Sequence, residues 1–151
     1  MTKTTVLFIC PDNSLLGPLA EAYLNCRASG LMRAFSAGIL PAQHLSRYVH
    51  RLLSAEGVNA DGLAPKPVDI FLMPHGVVPD RVIYLADMEP IALPRIWKAT
   101  TSSHWWSVAG KPPLQSTFAA GADYFHRIRK SIDLLVEPSQ TAEGTVSFGA
   151  A

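Results

Sequence analysis

A cysteine at the end of an apolar run is the first place where this sequence could do chemistry. Val6, Leu7, Phe8 and Ile9 are β-branched, aliphatic or aromatic with no polar alternation, the pattern of a strand buried on both faces. Cys10 follows, and Pro11-Asp12-Asn13-Ser14 breaks the run with turn chemistry. Leu15-Leu16-Gly17 leads into Pro18, which suits a first helical turn because its missing N–H costs little there. Strand, loop and helix start in this order place free backbone N–H groups at the loop mouth, where an anion is favoured. A thiol at that mouth would have a lowered pKa and could act as a nucleophile.

The elements that must position this loop follow in alternation. A helix is expected from Pro18 to about Ser29, with Leu19, Tyr23 and Cys26 on one apolar face and Gly30 as its stop. Cys26 therefore reads as a core residue. Arg33 to Ala37 reads as a second strand ended by Gly38. A second helix is expected from about Ala42 to Glu56, because Leu45, Tyr48, Val49, Leu52 and Leu53 recur at three and four. Pro65, Pro67, Pro74 and Pro79 exclude long regular structure between 59 and 79. Arg81 to Leu85 and His104 to Val108 read as third and fourth strands, with one short helix between them. A last helix is expected from about Thr117 to Val136, its stripe formed by Phe118, Ala122, Phe125, Ile128, Ile132 and Leu135. Strands alternating with helices argue for an α/β fold with a parallel sheet and helical crossovers. Ligands of such sheets bind beyond the carboxyl ends of the strands, where the Cys10 loop lies. Residues 1–138 form one expected domain, and 139–151, small and polar, a flexible tail.

The stretch from Val6 to Glu21 resembles the opening of the low molecular weight protein tyrosine phosphatases and their arsenate reductase relatives. The family pattern is an apolar strand, Cys, two residues, Asn, two residues, Arg, Ser, Pro, one residue, Ala, Glu. Here Cys10, Asn13, Pro18, Ala20 and Glu21 hold the matching places. Phe35-Ser36-Ala37-Gly38 resembles the family's Ser-Ala-Gly after the second strand, and Glu56-Gly57 and Pro65-Lys66-Pro67 keep its order. The resemblance covers residues from about 5 to 136, strongly over the first 38. It implies a three-layer α/β/α, doubly wound sheet of four parallel strands. It also implies Cys10 as the nucleophile, with Pro11, Asp12, Asn13, Ser14, Leu15, Leu16 and Gly17 as the phosphate-binding loop.

The departures from that pattern bear on function more than the matches. The family's phosphate-binding Arg falls on Leu16 and its thiol-steadying Ser on Gly17. Its frequent second loop Cys falls on Leu15, and a usually small residue on Asp12. The general acid, an Asp before a Pro after the fourth strand, falls on Gly110 or Lys111. Cysteine-based ester cleavage needs a thiolate, charge neutralisation on the transferring group and a proton for the leaving oxygen. Leucine cannot imitate the planar guanidinium fork that matches phosphate oxygens. Losing one such donor costs roughly 10²–10³ in rate, and losing the acid roughly 10²–10⁴. Asp12 opposes a dianion, and Pro11 removes a backbone donor. The expectation is a phosphatase-like scaffold with its hydrolytic machinery dismantled, binding a small oxyanion or a protein partner. The other expectation is an enzyme of weak or altered phosphatase or arsenate reductase activity that uses Cys10.

Outside the loop the chemistry-bearing residues have plainer readings. Asp87, after the third strand, and Lys111 are candidate rim residues, with solvated turns as the simpler reading. His44, His50, His75, His104 and His126 show no metal-ligand spacing, so no metal or other cofactor is expected. One of Trp105 and Trp106 is expected in the core and one on the surface. If Trp97 and one of that pair were exposed near the loop, they would mark a binding surface. The formal charge of +1 over 151 residues gives no field for nucleic acid or acidic membranes. With 48% apolar and 17% charged residues the chain is not of the disordered class. Two cysteines cannot build a disulfide framework. No stretch approaches the ~18 apolar residues of a membrane span, and the run at Val6 is too short for a signal-peptide core. A cytoplasmic location is the resulting expectation.

Overall fold

The computed structural model describes residues 3–145. Four parallel strands form one sheet in the order β2-β1-β3-β4, with β1 Thr4–Cys10, β2 Met32–Gly38, β3 Arg81–Tyr84 and β4 Ser102–Trp105. Helix α1 (Leu16–Arg27) crosses from β1 to β2, and α2 (Val49–Ala55) and a 3-10 helix (Val68–Phe71) lie between β2 and β3. Helix α3 (Arg95–Lys98) precedes β4, and α4 (Phe118–Thr145) closes the chain.

The all-apolar β1 run is explained by burial on both sides. Val6, Phe8 and Cys10 face a core shared with α1, α2 and α4. Leu7 and Ile9 face a smaller core with Val82, Tyr84 and Trp97, covered by the 3-10 helix and α3. Each side chain of β1 from Val6 to Cys10 is at most 1% exposed. Alternate residues of one strand thus serve two layers, as the period of two requires. The chain leaves β1 first toward β2 and later returns to its other side as β3. The carboxyl end of β1 is therefore the topological switch point, where an open α/β sheet forms its crevice.

Several expected elements differ in the structure for identifiable reasons. The second helix begins only at Val49, because residues 39–46 are tied to the loop after β1. The amides of Ile39 and Leu40 donate to the Pro11 carbonyl, that of Ala42 to Asp12 and that of Ser46 to Ser14, at 2.8–3.0 Å. Those four donors are not free to build a helix. Cys26, expected in the core, is exposed. It stands in the last turn of α1, beyond the part of the helix buried through Leu19, Ala20 and Leu24. Strand β4 pairs two residues earlier than expected, over Ser102–Trp105. Trp106 instead turns toward the core of α1 and α4, its ring 5.8 Å from that of Phe8. Trp97 is buried at 2% and Trp105, at 44%, is exposed, so the two do not form a shared surface patch. Helix α4 continues past Val136 and Pro138 to Thr145; residues 146–151 of the expected tail lie outside the described residues. Among the described residues no helix is long and apolar enough to cross a membrane, and no cluster of three His, Cys, Asp or Glu is placed to hold a metal.

Candidate functional site

The loop from Cys10 to Gly17 occupies the switch point and is held by a buried polar network. Asn13 adopts φ 56°, a left-handed conformation that asparagine tolerates better than most residues. Its side chain is fully buried. Nδ2 donates to Ser36 Oγ at 3.0 Å, and Oδ1 accepts from the Lys66 amide at 2.8 Å. Ser36 Oγ in turn donates to Glu21 Oε1 at 2.7 Å, which Lys66 Nζ approaches at 3.4 Å. Residues of α1, β2 and the Pro65-Lys66-Pro67 turn thus converge on one asparagine. Gly38 lets the loop lie against the end of β2, since a Cβ there would stand 2.9 Å from Asn13 N and from Asp12 C. Replacing Asn13 with alanine is expected to cost about 2–4 kcal/mol, from the lost bond to Ser36, an orphaned Lys66 amide and a strained φ. Urea denaturation measures this, and Asn13→Gly, which relieves only the backbone, is expected to fall between alanine and wild type.

Cys10 sits beneath this loop, 1% exposed. Burial pushes its thiol up to about 11, against the opposing pull of the Gly17 and Asn13 backbone N–H groups; the Asp12 charge adds to the rise. Burial thus works against the lowering that a position at the loop mouth would favour. The helix N-terminus does not reverse this, because removing a thiolate from water outweighs the amides near it. Leu16 is likewise 1% exposed and packs in the core with Leu15 and Leu19. Gly17 packs so closely that a Cβ would stand 2.4 Å from Asn13 Nδ2, 3.0 Å from Ser36 Cβ and 3.2 Å from Cys10 Sγ. The asparagine amide fills the space that a side chain at position 17 would need.

Beside the loop opens a cleft of about 320 Å³. One wall comprises Pro11, Asp12, Ser14, Leu15, Ser46 and Tyr48, and the other runs from Pro112 to Ser116. Asp12 is the one charged side chain among these lining residues. Its Oδ1 accepts from the Ser14 amide at 3.1 Å and from Ser14 Oγ at 2.8 Å. Cys10, Asn13, Leu16 and Gly17 do not line the cleft, nor do the candidate rim residues Asp87 and Lys111. Asp87 is instead joined to the loop after β4, its amide donating to the Gly110 carbonyl at 2.8 Å. The structure brings together Ser46, Tyr48 and the Pro112–Ser116 segment, which sequence reasoning missed. Tyr48 was expected on a helical stripe, and only the tethering of residues 39–46 turns it toward the loop. Ser36 and Lys66 were visible as motif residues but not as supports of Asn13.

Two cations stand nearby without entering the cleft. Lys66 is engaged with Glu21 and with the Ala64 carbonyl. The exposed Arg47 stacks on the Tyr48 ring, 5.2 Å from its centroid, and donates to the Tyr48 hydroxyl at 3.1 Å.

The family model of the low molecular weight phosphotyrosine protein phosphatases matches residues 5–137. The chain belongs to that family. An arsenate reductase in the phosphate-binding state is similar to this low molecular weight phosphatase family member at a TM-score of 0.71 and 18% identity, covering 89% of this chain and 97% of the other. The arsenate reductase from Archaeoglobus fulgidus has a TM-score of 0.60 and 25% identity, covering 85% and 98%. The low molecular weight protein tyrosine phosphatase from T. tengcongensis has 0.65 and 19%, covering 89% and 99%. No curated protein matches the chain. The expected α/β fold with its doubly wound four-stranded parallel sheet is the fold of this family, and the Cys10 loop lies where that fold places its crevice.

Proposed function

We propose that this member of the low molecular weight phosphatase family has lost ester hydrolysis and acts by binding a ligand or partner in the cleft beside its loop. The observation that carries this is Leu16, packed in the core at the position where the family places its guanidinium. Phosphoryl transfer is catalysed mainly by positioning and by answering charge on the equatorial oxygens. Neither Leu16 nor any residue lining the cleft supplies a cation. The buried, protonated thiol of Cys10 acts in the same direction. A weak or altered phosphatase or arsenate reductase is the second reading, and one feature favours it: the Gly17 and Asn13 amides still act on the sulfur so as to favour thiolate.

Turnover of para-nitrophenyl phosphate, and separately of arsenate with a thiol reductant, distinguishes the two. Wild type is expected to match Cys10→Ser in both assays. Turnover well above the Cys10→Ser level would overturn the loss of hydrolysis and establish the second reading.

A further inference from the structure

The geometry points to an organic cation with a flat apolar body, rather than an oxyanion, as the ligand of the cleft between the Cys10 loop and the Pro112–Ser116 segment. This inference rests on the reading that the site binds without hydrolysing, and it names the class of ligand.

The loop has fewer groups to hold an anion than its shape suggests. Pro11 has no N–H. The Ser14 amide is taken by the Asp12 carboxylate within the loop itself. Two of the seven positions from Pro11 to Gly17 therefore offer no free backbone donor toward the cleft. Such a loop keeps the shape of an anion cradle but has lost part of its donor set.

What remains on the cleft walls has the opposite preference. Asp12 contributes a carboxylate, and no Lys, Arg or His is among the lining residues. Only Oδ1 of that carboxylate is hydrogen-bonded among the described residues, which leaves Oδ2 to accept from a ligand. Pro11, Pro112, Pro113, Leu114 and the Tyr48 ring supply flat apolar surface on both sides. A volume of about 320 Å³ falls at the small end of ligand sites, enough for one ring and a short amine arm. The exposed Arg47 guanidinium is held on the Tyr48 ring and hydroxyl and is not among the lining residues.

Calorimetric titration of the full chain at pH 7 and low salt tests this with ligands that share one ring and differ in charge. Benzylamine is expected to bind at least fivefold more tightly than benzylphosphonate, with neutral benzyl alcohol between them. Asp12→Asn keeps an oxygen for Ser14 and is expected to weaken benzylamine about fivefold while leaving benzyl alcohol unchanged, the size of a partly exposed ion pair. An acetylated, amidated Gly-Lys-Gly peptide forms a further arm. Benzylamine binding that depends on Asp12 supports the inference, and tighter binding of the peptide, whose lysine has no flat body, would overturn this ligand class. Preferential binding of the phosphonate would overturn it, and loss of that preference in Arg47→Gln would place Arg47 in the cleft. Absence of binding in every arm would overturn it as well. The same preparation, assayed with para-nitrophenyl phosphate, separates the two levels. Failure of the amine preference without turnover removes only the ligand class, whereas Cys10-dependent turnover removes the non-hydrolytic reading beneath it.

Discussion

Replacing Leu16 with arginine is expected to destabilise the protein by about 3–5 kcal/mol and to return no ester hydrolysis. Leu16 is 1% exposed among the apolar residues of α1 and α4. A guanidinium in that space would be an uncompensated buried charge, which costs on the order of 3–5 kcal/mol. It is also larger than the leucine it replaces, and overpacking adds to the cost. Urea denaturation gives the stability and para-nitrophenyl phosphate the activity. Adding Gly17→Ser and Lys111→Asp is expected not to rescue either. A serine Cβ at 17 would meet Asn13 Nδ2 at 2.4 Å, so Asn13 must leave Ser36 before the serine can fit. Asn13 also holds the Lys66 amide, so the whole support of the loop must move. A folded Leu16→Arg variant with an unchanged urea midpoint and Cys10-dependent turnover would mean that the new side chain swings out of the core into the cleft. That result would show a loop one substitution from activity, and the case for lost hydrolysis would fail.

The sequence carried the fold because the fold depends on local pattern. An unbroken apolar β1, a Pro at the start of α1 and the period-three-and-four stripe of α4 each state their environment without help from distant residues. The loop position was legible for the same reason, since Cys10 and Pro18 bracket it between a strand and a helix. What was not legible depends on contacts far apart in the chain. The stripe from Leu45 to Leu53 is a good helical pattern, yet its first half is drawn off by carbonyls at residues 11, 12 and 14. Tyr48 becomes a cleft residue only through that tether. Nothing local in the Pro112-Pro113 pair says that it lines a cleft with Asp12. Cys26 shares a helical face with Leu19, and only its place at the helix end exposes it. Sequence spacing also identified Leu16 and Gly17 as departures without showing their surroundings. In the structure Leu16 packs in the core, and a Cβ at Gly17 would meet the Asn13 amide.

Cys10 is expected to react with iodoacetamide at pH 7 at least 100-fold more slowly than Cys26 in the same molecule. Its thiol is raised from the ordinary value near 9 to about 11 by burial, which alone reduces the reactive thiolate about 100-fold. Burial at 1% exposure adds a barrier of access, whereas Cys26 is exposed and serves as an internal reference. Peptide mass mapping of a time course separates the two sites. The same shift makes a statement about stability, and its sign follows from proton binding. Between about 9 and 11 the unfolded chain has released the thiol proton while the folded chain keeps it. The unfolded state then binds fewer protons, so stability falls as pH rises through that window and is unaffected by this group below it. Two pH units correspond to about 2–3 kcal/mol. Other groups titrate in the same range, so the measured quantity is the difference between wild type and Cys10→Ser in urea midpoints from pH 8 to 11. Wild type is expected to lose ground to the serine variant as pH rises. A constant difference, together with alkylation of Cys10 as fast as that of Cys26, would mean that the thiolate is accessible at neutral pH. The nucleophile would then be in working order, and the proposed loss of hydrolysis would rest on Leu16 alone.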